Sequence, residues 1–349
     1  MKTSLFAALA GTALSIAAVQ LKPQYKAGEI HLTTFTVESS STMVDSATLM
    51  NGEAGPGMPD MEREESSKFE GQFRDSVTRV DGTDLVAFDR EYLEIAEASS
   101  NHMSNPMMGD MDTDSEKTTP LDEATVHFTR GEDGFQASFP EDSSDDEELL
   151  DGLTGPLPFA ALLPDDEVEV DDEWKIPVAV IWSFMEPGGD LSLEDDATPG
   201  DMPPGMLEVD PSTVAAELEG DCKASLKEIK EIDGVRHAVI SLSLEFTRFQ
   251  DLTEMMQAQA DEAPDDMPEG AVMPDIDSME VEAAFEGEGT LVWNLKTGVA
   301  TSFEMSLDSE RTETMLMSIE MGPESLEIEQ TSVFEGETIV NFEVEVTHE

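Results

Sequence analysis

Apolar and polar positions alternate along much of the chain with the period of a strand. Ala238, Ile240, Leu242, Leu244 and Phe246 are interleaved with more polar neighbours, the pattern of a half-buried strand. Near the C-terminus Val340, Phe342, Val344 and Val346 alternate with Asn341, Glu343 and Glu345. Turn signals separate such runs. Asp233-Gly234 lies between 226–232 and the run beginning at 238, and an Asp-Gly pair favours a tight hairpin because both turn residues must tolerate positive φ. Residues 131–134 (GEDG) separate 124–129 from 135–139, and Lys296-Thr297-Gly298 separates 289–295 from 299–307. The pattern predicts a mainly β fold, either an antiparallel meander or half-barrel or two packed β units.

Four segments break the alternation: 50–65, 97–122, 186–220 and 255–279. They are rich in Met, Pro, Gly, Asp and Glu and hold most of the 21 methionines. Proline and dense charge make poor core formers, so these segments are predicted to be long acidic Met/Pro-rich loops. Helical turns are expected over Ser212 to Leu218 and Leu252 to Ala260. Residues 141–151 (EDSSDDEELLD) form an acidic connector. It divides the strands into units at 24–140 and 153–349, with one continuous sheet through both as the alternative.

The first residues bear on location. Met1 and Lys2 precede an uncharged, small-residue apolar run over 5–19, shorter than the roughly 20 apolar residues that span a bilayer. Ser15-Ile16-Ala17 puts small residues at a cleavage position. The segment 1–18 is predicted to be a signal peptide, and the protein to be exported to the periplasm or the exterior. No later stretch is long and apolar enough for a spanning helix.

Charge changes the list of partners. The chain has 79 acidic and 18 basic residues, a formal net charge of -61, whereas a magnitude of about 2–8 suffices to keep a small domain soluble. Such self-repulsion destabilises a compact state unless ions screen it. Saline surroundings and divalent-cation binding both fit. The acids are spread along the whole chain, which favours the first. Nucleic acid and anionic membrane surfaces would be repelled. The single cysteine, Cys222, can form no intrachain disulfide, and its strand-like surroundings predict a buried thiol.

The order of three segments carries a resemblance. Phe73 to Tyr92, then Pro156 to Ile176, then Glu288 to Ala300 resembles a loosely defined family of uncharacterised exported β-rich proteins from environmental, often marine, bacteria. In that family a Leu-Pro, an acidic-apolar stretch and a Trp introduce the second half, matched here by Leu163-Pro164, Val168 to Asp172 and Trp174. Asp171-Asp172 stands where the family tends to have Gly-Asp. Gly289, Asn294 and Gly298 match a late hairpin. The resemblance covers about half of the chain after the leader and implies a β-rich exported protein without implying an activity.

The chain has no His-Glu-x-x-His zinc motif, no phosphate-binding Gly-rich loop with Lys and no Gly-x-Ser-x-Gly turn,. His31, His102, His127, His237 and His348 show no ligand-like spacing. Paired carboxylates could serve glycoside hydrolysis, but among 79 acids no pair stands out. Trp174, Trp182 and Trp293, with Tyr25 and Tyr92, are the available sugar-stacking rings, and Trp174 and Trp293 read as core anchors. Asp110, Asp112 and Asp114, alternating with Met111 and Thr113, could converge on Ca²⁺. Ser115 and Leu121 stand where the helix-loop-helix calcium pattern requires Gly and Glu. His102, Met103, Met107, Met108 and Met111 offer an imidazole and thioethers to Cu(I). The leading reading is a non-enzymatic exported binding or interaction protein of the envelope or exterior. The alternatives are a carrier of an apolar, lipid-like ligand on a concave sheet, a hydrolase without a local motif, and copper or calcium binding.

Overall fold

The computed structural model describes residues 18–54, 62–105, 109–132, 134–141, 143, 146–195, 217–261, 275–321 and 324–348. The first half of the chain forms β1 (Glu29–Met50), β2 (Glu53–Ala54), β3 (Glu62–Asp81), β4 (Asp84–Asn105), β5 (Gly109–Thr118), β6 (Thr125–Arg130) and β7 (Phe135–Ser138). After a linking stretch come β8 (Glu173–Ile176), the short helix α1 (Val178–Trp182), β9 (Glu194–Asp195), β10 (Glu217–Gly220), β11 (Cys222–Ile232) and β12 (Val235–Asp251). Helix α2 (Thr253–Asp261) precedes β13 (Asp275–Asn294), β14 (Val299–Met321) and β15 (Glu324–His348). All fifteen strands belong to one sheet whose main order is β7-β6-β4-β3-β1-β15-β14-β13-β12-β11-β8. The sheet is antiparallel and does not close, which is the meander or half-barrel form expected from the alternation. β1 pairs with β15 from Glu29↔His348 to Met50↔Ile328. Through that ladder strands from both 24–140 and 153–349 enter the same sheet.

Local chemistry places the turns. Ile232 pairs with Val235 across Asp233 and Gly234, whose φ values are 51° and 77°, the conformation an Asp-Gly hairpin adopts. At the β13–β14 turn the Asn294 side-chain oxygen accepts from the backbone N–H of Lys296 at 2.9 Å and of Thr297 at 3.1 Å. β6 and β7 pair from Arg130↔Phe135 to His127↔Ser138 on either side of 131–134, the hairpin expected there.

The loop expected at 97–122 is corrected: most of it is a hairpin. β4 runs on to Asn105, and β5 returns beside it from Asn105↔Gly109 to Ala96↔Thr118. The low apolar content of this segment shows that it fills no core. An extension wetted on both faces needs none, because pairing on an existing ladder satisfies its backbone donors and acceptors. Polar cross-strand pairs add to it: His102 with Asp112 at 2.6 Å and Ser104 with Asp110 at 2.8 Å. The other segments are corrected in part. Residues 50–65 carry strand at both ends around 55–61, and 186–220 includes β9 and β10 around 196–216. Residues 255–279 carry helix α2 at one end and strand β13 at the other, around 262–274. The intervening stretches are outside the described residues. The helical turn expected at 252–260 is α2. The one at 212–218 falls outside the described residues except for 217–218, which are strand.

One face of the sheet carries the core. Phe35, Phe73, Phe88, Tyr92, Phe303 and Phe342 are all at most 1% exposed. Residues 153–195 cross this face as a cover. Phe184 of the cover stacks on Phe303 with centroids 4.5 Å apart, and Phe159 meets Phe342 edge-on at 5.7 Å. Each fully buried Phe contributes about 1.5–3 kcal/mol. Trp293 and Cys222 are buried in this core, and burial pushes the Cys222 thiol pKa up. Trp174 is half-buried, and its Nε1 donates to the Leu162 carbonyl at 2.9 Å. Arg90 fastens the start of the cover. It is wholly buried, forks onto Asp75 at 2.7 and 2.8 Å, and reaches the Thr154 and Gly155 carbonyls at 3.3 and 3.2 Å.

The strands outrun their cover. β14 has 23 residues, about 75 Å at roughly 3.3 Å per residue. Burial alternates along β1 from Glu29 to Val37, and no residue from Glu38 to Met50 is buried. The opposite face of the sheet is acidic. Glu245, Glu286, Asp308 and Glu337 sit directly opposite one another on β12, β13, β14 and β15, all exposed.

Candidate functional site

The site forms where the cover stops and the inward face of the strands continues. The phase that carries Leu244 and Phe246 on β12 goes on to Arg248, and the phase that carries Leu307 on β14 goes on to Ser309 and Arg311. One row across the sheet reads Arg248, Ala283, Arg311, Phe334 and Met43, and the row beside it reads Phe246, Phe285, Ser309, Gly336, Ser41 and Glu65. With Trp182 and Met185 from the edge of the cover, Arg248, Ala283, Arg311, Phe334, Phe285, Ser309, Ser41 and Glu65 of these rows line a cleft of about 430 Å³.

Arg311 crosses this floor. Its Nη2 lies 2.8 Å from Glu65 Oε2 and its Nε lies 3.1 Å from Glu313. Its Cζ sits 4.3 Å from the Phe334 ring centre. Gly336 puts no side chain in the way, and a Cβ there would come within 2.5 Å of the Ser40 carbonyl. Glu65 also pairs with Arg63 and accepts from the Ser41 hydroxyl at 3.2 Å. Burial works to raise the Glu65 pKa, but Arg311, Arg63 and these hydrogen bonds outweigh it and hold the carboxyl below its ordinary value.

Arg248 is differently placed. Its Cζ stacks 4.4 Å from the Trp182 ring, and Trp182 meets Phe285 edge-on at 5.9 Å. The Nε atoms of Arg63, Arg248 and Arg311 are all buried with no hydrogen-bond partner among the described residues, but Arg63 and Arg311 form ion pairs, whereas Arg248 forms none among the described residues. Burial lowers its pKa, Glu186 acts in the opposite sense, and the like charge of Arg311 lowers it further. The cleft thus reverses the charge balance of the chain. Acids outnumber bases 79 to 18 overall, whereas the ionisable groups lining the cleft are Arg248, Arg311 and Glu65. Guanidinium forks, hydroxyls and aromatic rings are groups that bind and orient. The lining holds no His or Cys among the described residues.

The residues singled out for metals lie on the β4–β5 hairpin. Met103 stands opposite Met111 on the inward face, in the row of Arg63, while His102, Asp110, Asp112 and Asp114 occupy the outward face. The hairpin therefore separates the imidazole from these two thioethers. It sets the three aspartates in a line, about 6.6 Å between successive ones. Met107 and Met108 lie outside the described residues. Among the described residues no three His, Cys, Asp or Glu side chains are grouped to hold a metal ion.

Sequence reasoning put Trp182 among the stacking rings but passed over Arg63, Arg248, Arg311, Glu65 and Phe334. One signal was available: in a chain so poor in bases, Arg248 occupies the apolar phase of an otherwise regular strand.

No protein-family model matches the chain, and no curated protein matches it. Among solved structures it is similar to an outer-membrane channel from Pseudomonas putida F1, at 10% identity over 93% of this chain and 98% of that one, with a TM-score of 0.25. No helix among the described residues is long and apolar enough to cross a membrane.

Proposed function

We propose that the chain is a non-catalytic exported binding protein of the cell envelope or its exterior, and that it holds a ligand in the cleft at the edge of the cover. The observation that carries this reading is the setting of Arg248, a guanidinium stacked on Trp182 with its buried Nε unpartnered and no ion pair among the described residues. A buried donor left without a partner costs about 1–3 kcal/mol, and a bound ligand would relieve that cost. The cleft volume of about 430 Å³ falls within the roughly 300–1,000 Å³ of small-molecule sites. Export rests on the leader-like composition of 1–18.

The carrier reading is the more specific form, supported by the apolar part of the lining: Trp182, Met185, Val281, Phe285 and Phe334. The test uses the neutral fluorescent amphiphile N-phenyl-1-naphthylamine on the full chain. Saturable one-to-one enhancement is expected, lost in Ala283→Trp and in Val281→Trp, each of which fills the cleft. Circular dichroism confirms that each variant keeps its sheet. Unsaturable enhancement, or equal binding by folded cleft-filled variants, rejects the reading.

A further inference from the structure

Resting on that reading, we infer that the cleft selects a single-chain amphiphile with one carboxylate, its headgroup between Arg248 and Arg311 and its apolar chain along Trp182, Phe285 and Phe334. Three observations converge on this class. The first is spacing. Arg248 and Arg311 stand in one row on β12 and β14 with only Ala283 between them, two strand separations or about 9.5 Å of backbone. Their side chains approach over a methyl group, which leaves space for a small anion and brings like charges together when none is present.

The second is the charge count. Within the lining, Arg248 and Arg311 face one carboxylate, Glu65, which Arg311 engages; Glu186 acts on Arg248 from outside the lining without forming an ion pair with it, so the lining itself carries one positive charge, on Arg248. One negative charge balances it. A dianionic phosphate would leave a negative charge over, in a chain already at -61. Guanidinium groups match carboxylates through paired, charge-assisted hydrogen bonds.

The third is the apolar seat. Trp182, Met185, Val281, Phe285 and Phe334 line the cleft, and the rings of Trp182 and Phe285 meet edge-on. An inorganic anion would use none of this surface. A long neutral alcohol would use it but leave Arg248 as it stands.

The experiment is displacement of N-phenyl-1-naphthylamine from the full chain by dodecanoate, dodecan-1-ol and acetate at fixed salt. Dodecanoate is expected to compete at least about tenfold better than dodecan-1-ol, the value of one charge-assisted contact, and acetate not to compete. Arg248→Met keeps the apolar stem and should bring the dodecanoate-to-dodecan-1-ol ratio close to one, each competitor being referred to that variant's own probe affinity. Ala283→Glu places a carboxylate between the two arginines and should lower the same ratio, again referred to that variant's own probe affinity. Equal competition by alcohol and carboxylate, or an unaltered preference in folded Arg248→Met and Ala283→Glu, overturns the inference and leaves the cleft as a neutral-ligand site. Competition by acetate equal to dodecanoate overturns the amphiphile. Absence of probe binding removes the underlying reading, a different result from any of these.

Discussion

Arg311 on β14 bonds Glu65 on β3 at 2.8 Å across the two strands that lie between them, linking residues 246 positions apart in sequence. The contact ties the late strands to the early ones through side chains as well as through the β1–β15 ladder.

Its pH dependence follows from Glu65. The folded carboxyl is held below its ordinary value of 4.5, so its contribution is present above that pH and is lost as pH falls through the lower folded value. Glu65→Gln should lower stability at neutral pH by about 1.5–3 kcal/mol, the range for hydrogen bonds to charged groups. Wild type and variant should converge on acidification in urea melts taken as a pH series. A gap that stays constant into strong acid would contradict the assignment.

The Arg90–Asp75 pair offers a sharper stability test. Arg90 is encircled by Phe73, Phe88 and Phe128, with Cζ 4.5, 5.3 and 5.4 Å from the ring centres. Asp75→Asn leaves that guanidinium buried with a neutral partner and should cost about 3–5 kcal/mol. Replacing both, as Arg90→Met with Asp75→Leu, should recover much of the loss in the same denaturation assay. Equal losses in the single and double variants would show that the carbonyl contacts to 154 and 155, and not the ion pair, matter most.

The outward row of Glu245, Glu286, Asp308 and Glu337 makes stability depend on salt. Like charges directly opposite across strands repel, and the Debye length shrinks from about 30 Å at 0.01 M to about 3 Å at 1 M salt. The melting temperature should rise steeply with NaCl. Glu286→Lys, which breaks the row at its second member, should raise the low-salt value and flatten the slope. A wild-type melting temperature indifferent to NaCl would remove self-repulsion as a significant effect.

His102 gives a local pH signature in the β4–β5 hairpin. Its hydrogen bond to Asp112 raises its pKa above the ordinary 6.5. The contribution to the hairpin is therefore full below that pH and is lost as pH rises through the folded value. In an NMR titration the His102 midpoint should move to lower pH in Asp112→Asn. An unchanged midpoint would show that the pair is not formed in solution.

Much of the sheet was legible because period and turn chemistry are local. Asp233-Gly234 and residues 296–298 mark their hairpins in a few residues, and the alternation at 238–246 and 340–346 marks which side faces inward. The 97–122 hairpin was hidden because its polar alternation is that of a strand with no core to face, and composition reads that as loop. The cleft was hidden for a different reason. Arg248, Arg311, Phe334 and Glu65 come from four strands and meet only once the register of β12 through β3 is set. Nothing in their sequence spacing encodes that meeting, whereas the described metal candidates, close in sequence, are divided between two faces of a hairpin.

The cover across only one end of the long strands has a mechanical consequence. Packed against 153–195 at one end, with no residue of β1 buried beyond Val37, the sheet is a cantilever. A bend of the uncovered end relative to the covered one would fall where the cover stops, between Trp182 and Phe334. A small change in curvature there opens or narrows the gap between them, so a load applied at the far tip would be felt first at Arg248.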